Sequence, residues 1–102
     1  SCQFGQDATV FTLFPHMHQL GSHMKATHNG TVLLDEPYSF TEQLNHLIDP
    51  VMVHAGDSIG VTCTWNNTTS NTVSFGDSSL QEMCFLGLYR YPASNQGWYC
   101  VN

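Results

Sequence analysis

The sequence predicts an all-β domain, an antiparallel β-sandwich. Its apolar residues recur with period two, turn residues punctuate it every eight to twelve positions, and no segment keeps a helical period. At 102 residues it is long enough for one domain with one core, 1–102.

The elements follow in chain order. Residues 9–18 alternate Thr9, Phe11 and Leu13 against Val10, Thr12 and Phe14, until Pro15 interrupts the ladder. Segments 23–28 and 31–34 flank Asn29-Gly30, the strongest short hairpin signal there is. A further strand is expected at 38–44, and a loop at 45–50 closed by Asp49-Pro50. Val51–His54 is short and apolar, and Ala55-Gly56-Asp57 reads as a turn. Ile59, Val61, Cys63 and Trp65 then share one strand face. A polar loop at 66–71, a weaker strand at 72–75, a turn at "GDSS" and a long strand over 82–91 complete the pattern. Asn29, Asn66 and Asn67 each begin an N-x-[ST] sequon, a candidate sugar acceptor in a eukaryotic secreted protein.

Charge narrows the partners. The net charge is −6, with Lys25 and Arg90 the only basic residues besides histidine, so nucleic acid and anionic membrane surfaces are poor partners. No run of apolar residues is long enough to be a membrane-spanning helix. Only 10% of residues are charged, and Ser, Thr and Asn are abundant, which suits a secreted, periplasmic or extracellular β domain.

Four cysteines, an even number in a short chain, point to two disulfides and an oxidising compartment. The competing zinc reading lacks the C-x₂₋₄-C spacing, since the cysteines stand at 2, 63, 84 and 100. Composition leaves all three pairings open.

The candidate site is "FPHMHQLG". On a strand, residues i and i+2 face the same way, so His16 and His18 can aim two imidazoles at one point. Met83 opens the last long strand, and a thioether joined to two imidazoles favours copper, Cu(I) above all, over zinc or magnesium. Weighed alone, each has a bland reading, an exposed histidine pair and a core-filling methionine. His23, His28, His46 and His54 are expected at the surface or core edge without a ligand role; His23 and His28 are five apart and face opposite ways on one strand.

"SCQF" at 1–4, "HMHQLG" at 16–21, "GDSIGVTCTW" at 56–65 and "SSLQEMC" at 78–84 occur together and in order. In this the chain resembles the C-terminal domain of the copper type II, ascorbate-dependent monooxygenases, the family of the peptidylglycine α-hydroxylating enzyme and dopamine β-monooxygenase. The resemblance implies a jelly-roll-like sandwich in which His16, His18 and Met83 hold one copper that activates O2 for C–H hydroxylation, with ascorbate as external reductant. It also implies the pairings Cys2–Cys100 and Cys63–Cys84, with Cys84 pointing away from the face of Met83. An N-terminal electron-transfer copper domain is the implied partner, and without it these 102 residues are expected to be poorly active.

The chain departs from the peptide-amidating members where their substrate residues lie. Phe14, Phe85 and Gly87 stand in place of an Arg, an Asn and a Tyr, so a small-molecule or peptide substrate stays open and an apolar wall suits an uncharged one. A stand-alone extracytoplasmic copper module for delivery, buffering or sensing is the second reading. A sandwich that has lost its metal is the third.

Overall fold

The computed structural model describes residues 1–93 and, for the backbone alone, the strand at 99–101. Eight strands form: β1 (Cys2–Gln3), β2 (Ala8–His16), β3 (Gly21–His28), β4 (Thr31–Pro37), β5 (His46–Val53), β6 (Ser58–Trp65), β7 (Phe85–Tyr91) and β8 (Tyr99–Val101). They build two four-stranded antiparallel sheets, ordered β1-β6-β3-β4 and β5-β2-β7-β8. No described residue is helical, as the sequence pattern requires. Met24, Ala26 and Ile59 from the first sheet and Val10, Leu13, Val53 and Leu86 from the second meet in a single core, all fully buried.

The hairpin between β3 and β4 turns on Asn29 and Gly30 at φ 50° and 79°. Both central residues are left-handed, which a turn matching the twist of the strands demands and which Asn and Gly tolerate best. Gly56, at φ 91°, meets the same need before β6.

Strand β2 departs from simple alternation. Val10 pairs with Arg90 and Thr12 with Tyr89, so Phe11 is an extra residue and the pairing shifts there. The bulge resets the phase: Val10 and Leu13, expected on opposite faces, are both fully buried. Nor does Pro15 end the strand, which runs to His16 with Pro15 opposite Leu86. The β5 ladder stops at Leu13, so at Pro15 the strand has an open edge, where a missing N–H is tolerated.

Other boundaries also moved. Residues 38–44 form a loop rather than a strand, and His46–Pro50, expected as a loop, belongs to β5. The turn signal at Asp49-Pro50 survives as an interruption, since Ile48, Asp49 and Pro50 have no partner on β2. As an edge strand, β5 can carry that proline. Residues 72–75 reduce to one isolated bridge, Phe75 with Glu82, and β7 begins at Phe85, so Met83 and Cys84 lie just ahead of it.

The Cys63–Cys84 disulfide forms, with Cα atoms 6.0 Å apart. It ties β6 of the first sheet to the approach of β7 in the second. The Cys100 side chain, and with it the expected Cys2–Cys100 pairing, lies outside the described residues. At the other end of β3, the His28 ring and the backbone N–H of His54 both donate to Asp57 Oδ2, at 2.9 and 3.0 Å. The His28 hydrogen bond, followed by that from His54, holds the Asp57 carboxyl below its usual range.

Two outcomes are expected. Removing the bridge by Cys63→Ser with Cys84→Ser should cost about 3 kcal/mol in the chain-entropy account, read from the urea midpoint at constant slope. A carboxyl of depressed pKa stabilises the fold above its unfolded pKa of about 3.9, and that contribution fades as pH falls through the folded value. Asp57→Asn should therefore lower the midpoint at pH 7, and the gap to the parent should narrow at acid pH.

Candidate metal centre

His16 is the last residue of β2, and His18 lies in the turn that carries the chain from the second sheet to β3 of the first. Met17 between them is fully buried, His18 is buried and His16 half-buried. Their ring centroids are 5.2 Å apart at an interplanar angle of 83°. That spacing lets both rings reach one ion at the metal–nitrogen distance of about 2.0–2.1 Å.

The hydrogen bonds choose the tautomers of the two rings. His18 Nδ1 lies 3.0 Å from the carbonyl oxygen of Gln81, which only accepts, so Nδ1 carries the proton. His16 Nδ1 lies 2.8 Å from Gln43 Oε1. The Gln43 amide is oriented by its Nε2, which donates to the Phe40 carbonyl at 3.2 Å, so Oε1 is the atom facing His16 and Nδ1 again donates. Both rings thus hold the tautomer whose lone pair is on Nε2. Such an outer hydrogen bond fixes ring orientation and raises ligand basicity.

A buried carboxylate holds the turn. Glu82, 8% exposed, accepts from the backbone N–H groups of His18 at 3.0 Å and Leu20 at 2.9 Å, and from the Trp65 indole at 2.7 Å. On the other side, the Tyr38 hydroxyl donates to Met17 O at 2.6 Å and accepts from Met17 N at 3.0 Å. Burial pushes the Tyr38 phenol above its ordinary value, opposed by the Met17 hydrogen bond and reinforced by the Glu82 charge, so it stays a donor. Phe40 sets its ring edge-to-face against His18, centroids 6.0 Å apart.

Met83, 8% exposed, lies between two residues that touch the histidine turn. Glu82 binds the His18 N–H, and Phe85 pairs with His16 in the β2–β7 ladder, its ring 6.2 Å from that imidazole. Of the remaining histidines, His23, His28 and His54 sit against the carboxylates of Asp35, Asp57 and Asp7. Among the described residues no group of three or more His, Cys, Asp and Glu gathers that could hold a metal. The candidate donors at this end of the sandwich are the two imidazoles, and Met83 follows Glu82, which binds the turn between them and β3; two imidazoles and a thioether are a set that suits copper.

The sequence matches, over residues 3–102, the family described as copper type II ascorbate-dependent monooxygenase, C-terminal domain. The chain belongs to this family. It is also 30% identical over 97 residues to a human protein (Homo sapiens) named "Putative DBH-like monooxygenase protein 2". That alignment covers 87% of this chain and 19% of the relative, so the chain spans about a fifth of that protein's length. No solved structure matches it significantly. No helix among the described residues is long and apolar enough to cross a membrane.

Several residues around the histidine pair escaped the sequence reading. Gln43 and Tyr38 reach it across 27 and 21 positions, and no local pattern announces such contacts. Glu82 left a faint signal, an acid directly before Met83 and the buried Cys84. Gly21 left one too, as the last residue of "HMHQLG". A Cβ there would lie 2.7 Å from the Met17 Cβ and 2.9 Å from the Tyr38 ring, so only glycine lets the turn close. Gly21→Ala should cost about 1–3 kcal/mol by overpacking. It should also displace the Tyr38 clamp, visible in the near-ultraviolet circular dichroism of the tyrosines.

Proposed function

We propose that this chain is the copper-holding domain of a C–H hydroxylating monooxygenase, with His16, His18 and Met83 as the ligands. The observation that carries the reading is the pair of Nδ1 hydrogen bonds, to Gln43 and to the Gln81 carbonyl, which turns both Nε2 lone pairs free for a metal. Copper, when bound, supplies the activation of O2, with ascorbate as the external reductant; the family is both copper- and ascorbate-dependent. The chain's own residues do the rest. His16 and His18 present neutral donors, Met83 adds a soft one that favours the reduced ion, and Glu82 and Tyr38 hold the turn from two sides. Phe40 and Phe85 flank the imidazoles.

The wider reading follows the family. The 102 residues are one domain of a larger enzyme, in keeping with the 19% of the human relative that they span. Two four-stranded antiparallel sheets around one core support the jelly-roll-like sandwich. The Cys63–Cys84 bridge supports an oxidising, extracytoplasmic setting. An N-terminal copper domain would supply electrons. Phe14, Phe85 and Gly87, at the places where peptide-amidating members carry polar substrate residues, favour a substrate without a carboxylate to anchor.

X-ray absorption on the reduced, copper-loaded protein should show one copper with a sulfur scatterer that Met83→Ala removes. A sulfur signal that survives this change would exclude Met83. His16→Ala and His18→Ala should each abolish tight copper binding, whereas His54→Ala, paired with Asp7 at the surface, should leave it unchanged. Gln43→Ala should weaken it by roughly 10–100-fold, the usual cost of losing the partner of a ligating histidine.

A further inference from the structure

The polar loop after β6 holds two overlapping N-x-[ST] sequons, Asn66-Asn67-Thr68 and Asn67-Thr68-Thr69, and all of these residues are exposed. The structure tells them apart. Asn66 is tied to the histidine turn, its N–H donating to Leu20 O at 2.9 Å. Asn67 and Thr69 instead form a turn of their own. Asn67 Oδ1 accepts from the Thr69 N–H at 2.9 Å and from the Thr69 hydroxyl at 2.6 Å, and Asn67 Nδ2 donates to Asn71 O at 2.8 Å. These bonds all fall within residues 67–71, so the turn needs nothing from the rest of the sandwich to form. An amide nitrogen carries two hydrogens and the bond to Asn71 uses one, which leaves the other replaceable.

Beside Asn67 lies an apolar surface. The residue shares a cleft with Trp65, Val73 and Phe75, of which Trp65 is 42% and Phe75 59% exposed. Trp65 stands two positions before Asn67, and its indole is pinned by the bond from Nε1 to Glu82 at 2.7 Å. Phe75 is held as well, since its neighbours Ser74 and Gly76 bond the Glu82 backbone at 2.9 and 3.0 Å. Large rings fixed in place and left in water mark a surface that something covers. A pyranose can lay a face of C–H groups on the negative face of an aromatic ring while its hydroxyls stay in water. We propose that Asn67 is an N-glycosylation site, and that the first sugar of its glycan covers the Trp65 side of this cleft. In the transfer, Asn67 Nδ2 bonds to the anomeric carbon of an oligosaccharide carried on a polyisoprenyl pyrophosphate. The bond from that carbon to the pyrophosphate breaks, the lipid pyrophosphate leaves, and one amide proton is lost. The site rests on the extracytoplasmic setting argued above, in a eukaryotic secretory route, and is independent of the metal.

The chain can be secreted from eukaryotic cells behind a cleavable signal and its sugars mapped. Peptide-N-glycosidase in heavy-oxygen water converts a glycosylated Asn to a labelled Asp, and should mark Asn67 but not Asn66. Thr69→Ala should abolish the mark at Asn67, whereas Thr68→Ala, which destroys only the Asn66 sequon, should leave it. In the folded glycoprotein, the ring current of Trp65 should move the N-acetyl methyl protons of the first sugar upfield of their position in the urea-unfolded chain. Removing the glycan should lower the thermal midpoint by a few degrees. An unmarked Asn67, or a mark at Asn66 in its place, would overturn the site. A methyl signal that is the same folded and unfolded would overturn the contact with Trp65. Copper titration of the same samples reads the metal assignment separately, so either proposal can fail without the other.

Discussion

The arrangement around the histidine turn depends on one buried carboxylate. An ionised group taken out of water is tolerable only if its oxygens are satisfied, and Glu82 is satisfied by three N–H groups from different parts of the chain. Two belong to the turn that holds His18, and the third is the indole at the end of β6. The same residue bridges to Phe75, directly precedes Met83 and stands two before the disulfide half Cys84. One charge thereby fixes the relative positions of the histidine turn, the methionine segment and the first sheet. An Ala or Gln there would leave backbone donors of the turn without a full partner.

Precision at the histidine pair therefore comes from groups that never touch a ligand. Met17 is sunk in the core, Tyr38 grips its peptide group from the β4 side, and Gln43 and the Gln81 carbonyl set the tautomers. The loop at 38–45 has no strand ladder because its polar groups serve the turn instead. Its irregular backbone is the price of placing an amide oxygen beside His16.

Much of the architecture was legible in the sequence, and the misses have physical causes. The Asn29-Gly30 hairpin, the Gly56 turn and the β6 face were readable because each rests on local chemistry or strict alternation. The phase of β2 was not, since a bulge at Phe11 leaves no compositional mark and inverts every assignment after it. Residues 38–44 read as a strand because Tyr and Phe favour strands, but their partners lie across the fold rather than along a ladder. At the candidate site, the pairing of His16 with His18 was visible from i, i+2 spacing. The carboxylate, phenol and amide that support them were not, because long-range contacts have no local period.

The histidine turn, between β2 and β3, is also where the chain changes sheets, and the Cys63–Cys84 bridge joins the two sheets on the neighbouring strands, β6 beside β3 and the approach to β7 beside β2. Gly21 and Trp65 face each other at this end of the first sheet, whereas His28 and Ile59 pair at the far end, beside the Asn29-Gly30 hairpin. The two sheets behave as leaves bound along one spine, with the imidazoles set into the binding. Loosening at the hairpin tip, at the far end of β3, leaves the distance between the rings almost untouched. Any ion gripped at the spine would in turn resist only those openings that part the leaves there, so loading would slow amide exchange around His18 and Trp65 and leave the hairpin tip exchanging as before.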